Sequence, residues 1–294
     1  MTCLTGSQLQ LWRREQLDGQ LDQASALDWL LELEAGLPWS DLQSSYLHPE
    51  TPLQLGCSLE RLETIWHQHC QQHVPLQHLV GRCPWRDFEL QVSPAVLIPR
   101  QETELLVELA IACFDHAVGP PACWADLGTG SGCLALALAR CWPNSRGWAV
   151  DCSAEALAVA QRNAALWLEQ QGRLQWHQGQ WWQPLQPLAG QLDLVVSNPP
   201  YIPSSVVDQL EPIVRDHEPR LALDGGVDGL DALRLIIEGA PRMLAPGGWL
   251  LLEHHHDQAT AVAGLFQEVG MQECRQFNDL EGQTRFAVAR RSGS

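Results

Sequence analysis

From Ala122 onward the chain alternates between short apolar runs and runs with helical periodicity, and this alternation constrains the fold more than any other feature. Cys123-Trp124-Ala125-Asp126-Leu127, Gly147-Trp148-Ala149-Val150-Asp151, Leu174-Gln175-Trp176-His177, Leu192–Val196 and Gly248–Glu253 read as strands. Helices are predicted over 105–114, 133–141, 153–168, 229–243 and 258–269, with two last strands near 271–277 and 284–289. Five βα units followed by a terminal β-pair predict an α/β fold with a doubly wound, mostly parallel sheet. Such sheets bind ligands outside the C-terminal ends of their strands. The residues just past each strand are therefore where function is sought.

The strand Leu192–Val196 runs into Ser197-Asn198-Pro199-Pro200-Tyr201. Two consecutive prolines cannot continue a ladder, because neither has an N–H and each fixes φ near −65°. Asn198 is stiffened as well, since a residue before proline is pushed into extended geometry. The result is a rigid turn carrying a side-chain amide, free backbone carbonyls and an aromatic ring. The Asn198 amide oxygen and the Pro199 carbonyl are two acceptors suited to the two N–H groups of a planar amide or amino substrate. Tyr201 can lie against the flat face of that group.

Asp126-Leu127-Gly128-Thr129-Gly130-Ser131-Gly132 lies between a strand and a helix, where glycines permit close approach of the backbone to a ligand. A dinucleotide fingerprint needs a different glycine spacing, and position 133 is Cys; a phosphate-binding P-loop needs a lysine, and the chain has none. Asp151, ending the next strand, is placed to hydrogen-bond ribose hydroxyls. This combination fits a nucleoside ligand without pyrophosphate, namely S-adenosylmethionine.

Composition narrows the classes further. The 294 residues suffice for one large α/β domain and a smaller one. A formal charge of −17 argues against stable binding to a phosphate backbone and suits a basic protein partner. The absence of lysine removes Schiff-base chemistry. Ten cysteines without a Cys-x-x-Cys pair argue against a zinc site or a disulfide framework. With no basic, apolar leader at the start and no membrane-length apolar run, a cytoplasmic protein without membrane attachment is expected.

Before the alternating region, residues from about 8 to 72 read as helices. Gly36 closes one of them, and Ser58 is placed to cap another. His69 and His73 have i,i+4 spacing but lack the glutamate of a zinc-protease helix, so no metal is expected there. Phe88–Val92 alternates like a strand of a short hairpin. Arg100, just before a helix start, is placed either to serve a ligand carboxylate or to pair with Glu102 or Glu104, and the ion pair is the expectation. The predicted boundaries are a helical module over 1–84, a hairpin linker over 85–99 and the α/β domain over 100–294.

The Asn198–Tyr201 string resembles the (Asp/Asn/Ser)-Pro-Pro-(Tyr/Phe/Trp) signature of methyltransferases that act on exocyclic or amide nitrogens. Further strings resemble one such family, the release-factor glutamine methyltransferases (PrmC/HemK). They are Pro75–Gly81, Leu97–Glu104, Asp126–Gly132, Asn198–Tyr201 and Leu251-Leu252-Glu253-His254. The resemblance covers nearly all of the chain from Pro75. It implies the class I S-adenosylmethionine-dependent methyltransferase fold; a monomer is the default expectation for the chain. The implied reaction transfers a methyl group to the N5 amide nitrogen of the glutamine in the Gly-Gly-Gln motif of peptide-chain release factors, with S-adenosylhomocysteine as product. The helical module would help grip the release factor.

The resemblance places Asn198, Pro199, Pro200 and Tyr201 at the glutamine, with Asn198, Pro199 and Tyr201 as the catalytic set. Asp126, Gly128, Thr129, Gly130, Gly132, Asp151, Gln180, Trp181 and Asn198 are the expected cofactor contacts. Three positions depart from the family pattern: Gln180 stands for an Asp near the adenine, His78 for a Tyr and His255 for a Gly. Trp181 and Trp182 are expected to pack around the cofactor pocket. No metal is expected at His254-His255-His256, because adjacent residues at a strand end point in different directions. Two rivals remain: an adenine-N6 nucleic-acid methyltransferase using the same turn on a flipped base, and a non-catalytic binding module of the same fold.

Overall fold

The computed structural model describes residues 2–114, 119–169 and 171–293. It divides into two compact units, Met1–Arg82 and Cys83–Ser294. Among the described residues, no helix is long and apolar enough to cross a membrane.

In the first unit, helices Gly6–Gln16, Ala24–Ala35, Trp39–Leu47, Leu59–Gln72 and Leu76–Val80 enclose a core that includes Leu9, Leu27, Leu30, Leu62, Ile65 and Trp66. Ser58 caps its helix by accepting from the Arg61 N–H at 3.2 Å, and Gly36 ends another in the left-handed conformation. One feature departs from the all-helical expectation. Thr2–Thr5 pairs antiparallel with Pro52–Leu55, a ribbon of four-residue strands too brief for a period-2 signal. His73 lies past the end of its helix with φ 55°, and the His69 Nδ1 faces the Val74 carbonyl at 2.9 Å. The two imidazoles therefore do not share a helix face.

The second unit opens within the hairpin Arg82–Trp85 and Phe88–Gln91, which is followed by α1 (Glu104–Ala112). Its main sheet contains β1 (Cys123–Leu127), β2 (Arg146–Asp151), β3 (Leu174–Gln178), β4 (Leu192–Ser197), β5 (Leu244–Glu253), β6 (Gln272–Asn278) and β7 (Thr284–Arg290). Their spatial order is β3-β2-β1-β4-β5-β7-β6, parallel from β3 through β5. The last two strands are antiparallel, with β7 inserted beside β5. The crossover helices are α2 (Cys133–Cys141), α3 (Ala154–Trp167), α4 (Asp231–Met243) and α5 (Ala259–Glu268).

The pleat sorts the strand residues between two cores. Ala125, Leu127, Val195, Leu250 and Leu252 pack with α4 and α5. Trp124, Leu194, Val196 and Leu251 pack on the other face with α1 and α2, where Trp85, Phe88 and Leu90 of the hairpin are also buried. β1, β4 and β5 are thus apolar on both faces, as the inner strands of a doubly wound sheet require. The chain order reverses between β1 and β4, so the crevice of the sheet opens where those two strands end.

Candidate active site

Two turns meet at that crevice. Gly128, Gly130 and Gly132 of the turn after β1 have φ of 75°, 55° and 85°, in the left-handed region that favours glycine. The Gly130 N–H donates to Asp151 Oδ2 at 2.9 Å, and the Ser153 N–H donates to Asp151 Oδ1 at 2.9 Å. One carboxylate thus ties the β1 turn to the start of α3 and keeps one lone pair on each oxygen. Asp126 is fully buried, and its Oδ2 accepts from Thr129 Oγ1 at 2.6 Å. Burial, with Asp151 nearby, pushes its carboxyl up to about 7.

The turn after β4 is held from behind. The Ser197 hydroxyl donates to the Leu127 carbonyl at 2.6 Å, locking β4 to β1 at their C-terminal ends. The Asn198 Nδ2 donates to Thr103 Oγ1 at 3.0 Å, and Thr103 donates to Glu253 Oε2 at 2.7 Å. The Tyr201 hydroxyl donates to Glu253 Oε1 at 3.2 Å. Gln258 Nε2 donates to the Tyr201 and Gly229 carbonyls at 2.9 and 3.1 Å. Burial pushes the Glu253 carboxyl up to about 7 against these hydrogen bonds and the nearby Arg285 guanidinium. Burial and the Glu253 charge push the Tyr201 phenol above its ordinary value, so it remains a donor.

A cavity of about 440 Å³ joins the two turns. Gly128, Thr129, Gly130, Asp151, Gln180, Trp181, Asn198 and Pro200 line it, together with Thr103, Arg100 and apolar residues from Val96 to Leu235. Its size and its apolar walls, with a few convergent polar groups, suit a nucleoside-sized ligand. The Trp181 ring lies over Gly128, 3.4 Å from where a Cβ would sit, so any larger residue there would press on the ring. The cavity lining does not include Asp126, Gly132, Pro199 or Tyr201. Gly132 serves packing, because a Cβ there would sit 3.0 Å from the Ala160 Cβ. Asp126 acts through Thr129, and Tyr201 faces Glu253.

Two expectations are corrected here. Arg100 bonds neither Glu102 nor Glu104; it meets the buried Glu218 at 2.6 Å, 118 residues away. Glu218 Oε2 also accepts from the Ile98 N–H at 3.2 Å, so this carboxylate anchors the whole segment. Trp182 does not line the cavity. Its ring is buried against Gly239, and its N–H donates to the Leu235 and Ile236 carbonyls of α4. In the histidine run, His254 is fully buried against the His255 carbonyl and Gln276, while His255 faces Asp257.

Thr103 and Glu253 were not singled out by sequence reasoning. The available signal was Glu253 itself, a carboxylate ending an otherwise apolar strand that both faces of the sheet bury.

This strand order, with the glycine turn after β1 and the Asn-Pro-Pro-Tyr turn after β4, defines a class I S-adenosylmethionine-dependent methyltransferase fold. Residues 107–227 match the Methyltransferase small domain family model. The catalytic domain of hMettl16, solved with a MAT2A 3′UTR hairpin, shares the fold with a TM-score of 0.56. The similarity covers 83% of this chain and 85% of that one at 12% identity. The release factor glutamine methyltransferase of Prochlorococcus marinus is 48% identical over 98% of this chain and 97% of its own length. That of Synechocystis sp. is 44% identical over 90% of this chain and 89% of its own. The chain belongs to the release factor glutamine methyltransferase family.

Proposed function

We propose that this enzyme methylates the side-chain amide nitrogen of the glutamine in the Gly-Gly-Gln motif of peptide-chain release factors, at the expense of S-adenosylmethionine. The observation that carries the reading is Asn198, at the cavity wall with its Nδ2 committed to Thr103 and its amide oxygen unbonded among the described residues. A fixed, unsatisfied acceptor beside a nucleoside-sized cavity is what a primary amide needs to be held in place. The near full-length relatives bearing this activity in their names support the same substrate.

Gly128, Thr129, Gly130, Asp151, Gln180 and Trp181 would hold the cofactor, which supplies an electrophilic methyl group when bound. Asp151 would offer its remaining lone pairs to ribose hydroxyls, and Gln180 its amide to the adenine edge. Asp126 and Gly132 would contribute by shaping the turn. Asn198 Oδ1 and the Pro199 carbonyl would each accept one N–H of the substrate glutamine, aiming its nitrogen at the methyl group. An amide nitrogen is a weak nucleophile because its lone pair is delocalised. Two fixed acceptors would orient it and stabilise the positive charge that develops as the bond forms. Transfer then needs no prior deprotonation by a side chain. The helical module would grip the release factor, and the net charge of −17 would suit a basic partner surface.

The test uses labelled S-adenosylmethionine with a recombinant release factor, the same factor with its motif Gln replaced, and DNA or tRNA. Label on the unmodified factor alone is expected. Label on nucleic acid instead would assign the enzyme to adenine chemistry.

A further inference from the structure

We infer that Glu253, acting through the Thr103 hydroxyl, is a positioning residue that fixes which end of the Asn198 amide faces the substrate. The inference rests on the amide-methylation reading above and deepens it.

The hydrogen bonds from Glu253 to Asn198 have a fixed polarity. An ionised carboxylate can only accept, so Glu253 Oε2 takes the single hydroxyl proton of Thr103 at 2.7 Å. Thr103 Oγ1 is left with lone pairs alone, and its neighbour at 3.0 Å on the Asn198 amide must therefore be the NH₂ end. The amide oxygen is thereby committed to the other side. A reversed amide would set its oxygen against the Thr103 lone pairs and offer donors to a substrate N–H₂, which accepts nothing.

The same carboxylate takes the Tyr201 hydroxyl on Oε1, so both of its oxygens serve the Asn-Pro-Pro-Tyr turn. Thr103 stands at the N-cap position of α1, yet its side chain makes no capping bond. Its hydroxyl is spent on this chain instead. Thr103 and Glu253 are each 2% exposed, which shields both links from competing water.

The experiment compares Glu253→Gln, Thr103→Val, Thr103→Ser and the Glu253→Gln/Thr103→Val double variant in methylation of a release factor, alongside cofactor titrations. A glutamine at 253 can present an NH₂ to Thr103 and so no longer dictates the direction of the chain. Expected for Glu253→Gln and for Thr103→Val is a loss in kcat of roughly 10- to 100-fold, the scale for buried partners that orient a reacting group. Glu253→Gln should leave the cofactor Kd unchanged. Thr103→Ser should recover most of the loss seen with Thr103→Val. The double variant should be little worse than Thr103→Val, because the carboxylate acts through the hydroxyl. Wild-type kcat in Glu253→Gln, or fully additive losses in the double variant, would overturn the proposal. Should Glu253→Gln fail to fold, equal kcat in Thr103→Ser and Thr103→Val would overturn it. A wild-type enzyme that leaves release factors unmethylated would overturn the functional reading and this inference with it.

Discussion

Asp151 accepts the Gly130 N–H on one oxygen and the Ser153 N–H on the other, both at 2.9 Å. The carboxylate therefore shapes the glycine turn it was expected only to accompany, and its side chain lines the cavity as well.

Replacing Asp151 by Ala should consequently cost more than a ribose contact. Two backbone donors lose their acceptor, at about 1–3 kcal/mol of stability for each one left unsatisfied. Cofactor affinity should fall at least tenfold in calorimetric titration, with a lower Tm in the cofactor-free protein. An unchanged Tm would mean that the turn holds its shape without Asp151.

Gly132→Ala tests the packing role of a glycine within the motif. Its φ of 85° and the 3.0 Å approach of a Cβ to Ala160 together predict a loss of about 1–3 kcal/mol, read as a shift in denaturation midpoint. A stability equal to wild type would contradict the assigned packing.

The motifs were legible because each is local. Asp126–Gly132 and Asn198–Tyr201 are continuous strings at strand ends, and the period of the flanking runs placed those ends correctly. What surrounds them was not legible, because it is assembled over distance. Thr103 reaches Glu253 across 150 residues, Asn198 reaches Thr103 across 95, and Arg100 finds Glu218 across 118. Local charge spacing proposed nearer partners for Arg100, and only the folded sheet edge brings Glu218 within reach. Trp181 and Trp182 are adjacent, yet one lies over Gly128 and the other donates into α4. The φ of 47° at Trp181 that separates them leaves no trace in the sequence.

Two buried carboxyls set a pH dependence of stability. Asp126 and Glu253 are pushed from 3.8 and 4.5 up to about 7 in the folded protein, chiefly by burial. Between about pH 4 and 7 the folded state therefore binds more protons than the unfolded chain, and stability declines as pH rises. Each group contributes on the order of 3 kcal/mol to that decline. Arginine-paired carboxylates such as Asp228, held below their ordinary value, act in the opposite sense but only under about pH 4. The cofactor-free protein should melt at a higher temperature at pH 5 than at pH 8, and Glu253→Gln should flatten part of the slope. A Tm that rises across that range would contradict the assignment.

Activity should move the other way. Protonation of Glu253 removes the acceptor that directs the Thr103 hydroxyl, so kcat should fall as pH drops below about 7. Glu253 accepts from the Thr103 and Tyr201 hydroxyls, and the charges of Arg285 and Glu102 and the Cys133 thiol are close enough to couple to it. Of the ionised neighbours, Arg285 favours the charged form and Glu102 opposes it. A kcat profile flat from pH 6 to 8 would contradict this account.

The most direct measurement of the central claim is fragmentation mass spectrometry of the Gly-Gly-Gln peptide from a release factor treated with the enzyme and S-adenosylmethionine. Wild-type protein should leave one added methyl group on the glutamine side-chain amide. Asn198→Ala should leave none while still binding the cofactor, since the substrate amide would have lost one of its two fixed acceptors. An unmodified glutamine after wild-type treatment, or a methylated one after treatment with Asn198→Ala at the wild-type rate, would contradict the account.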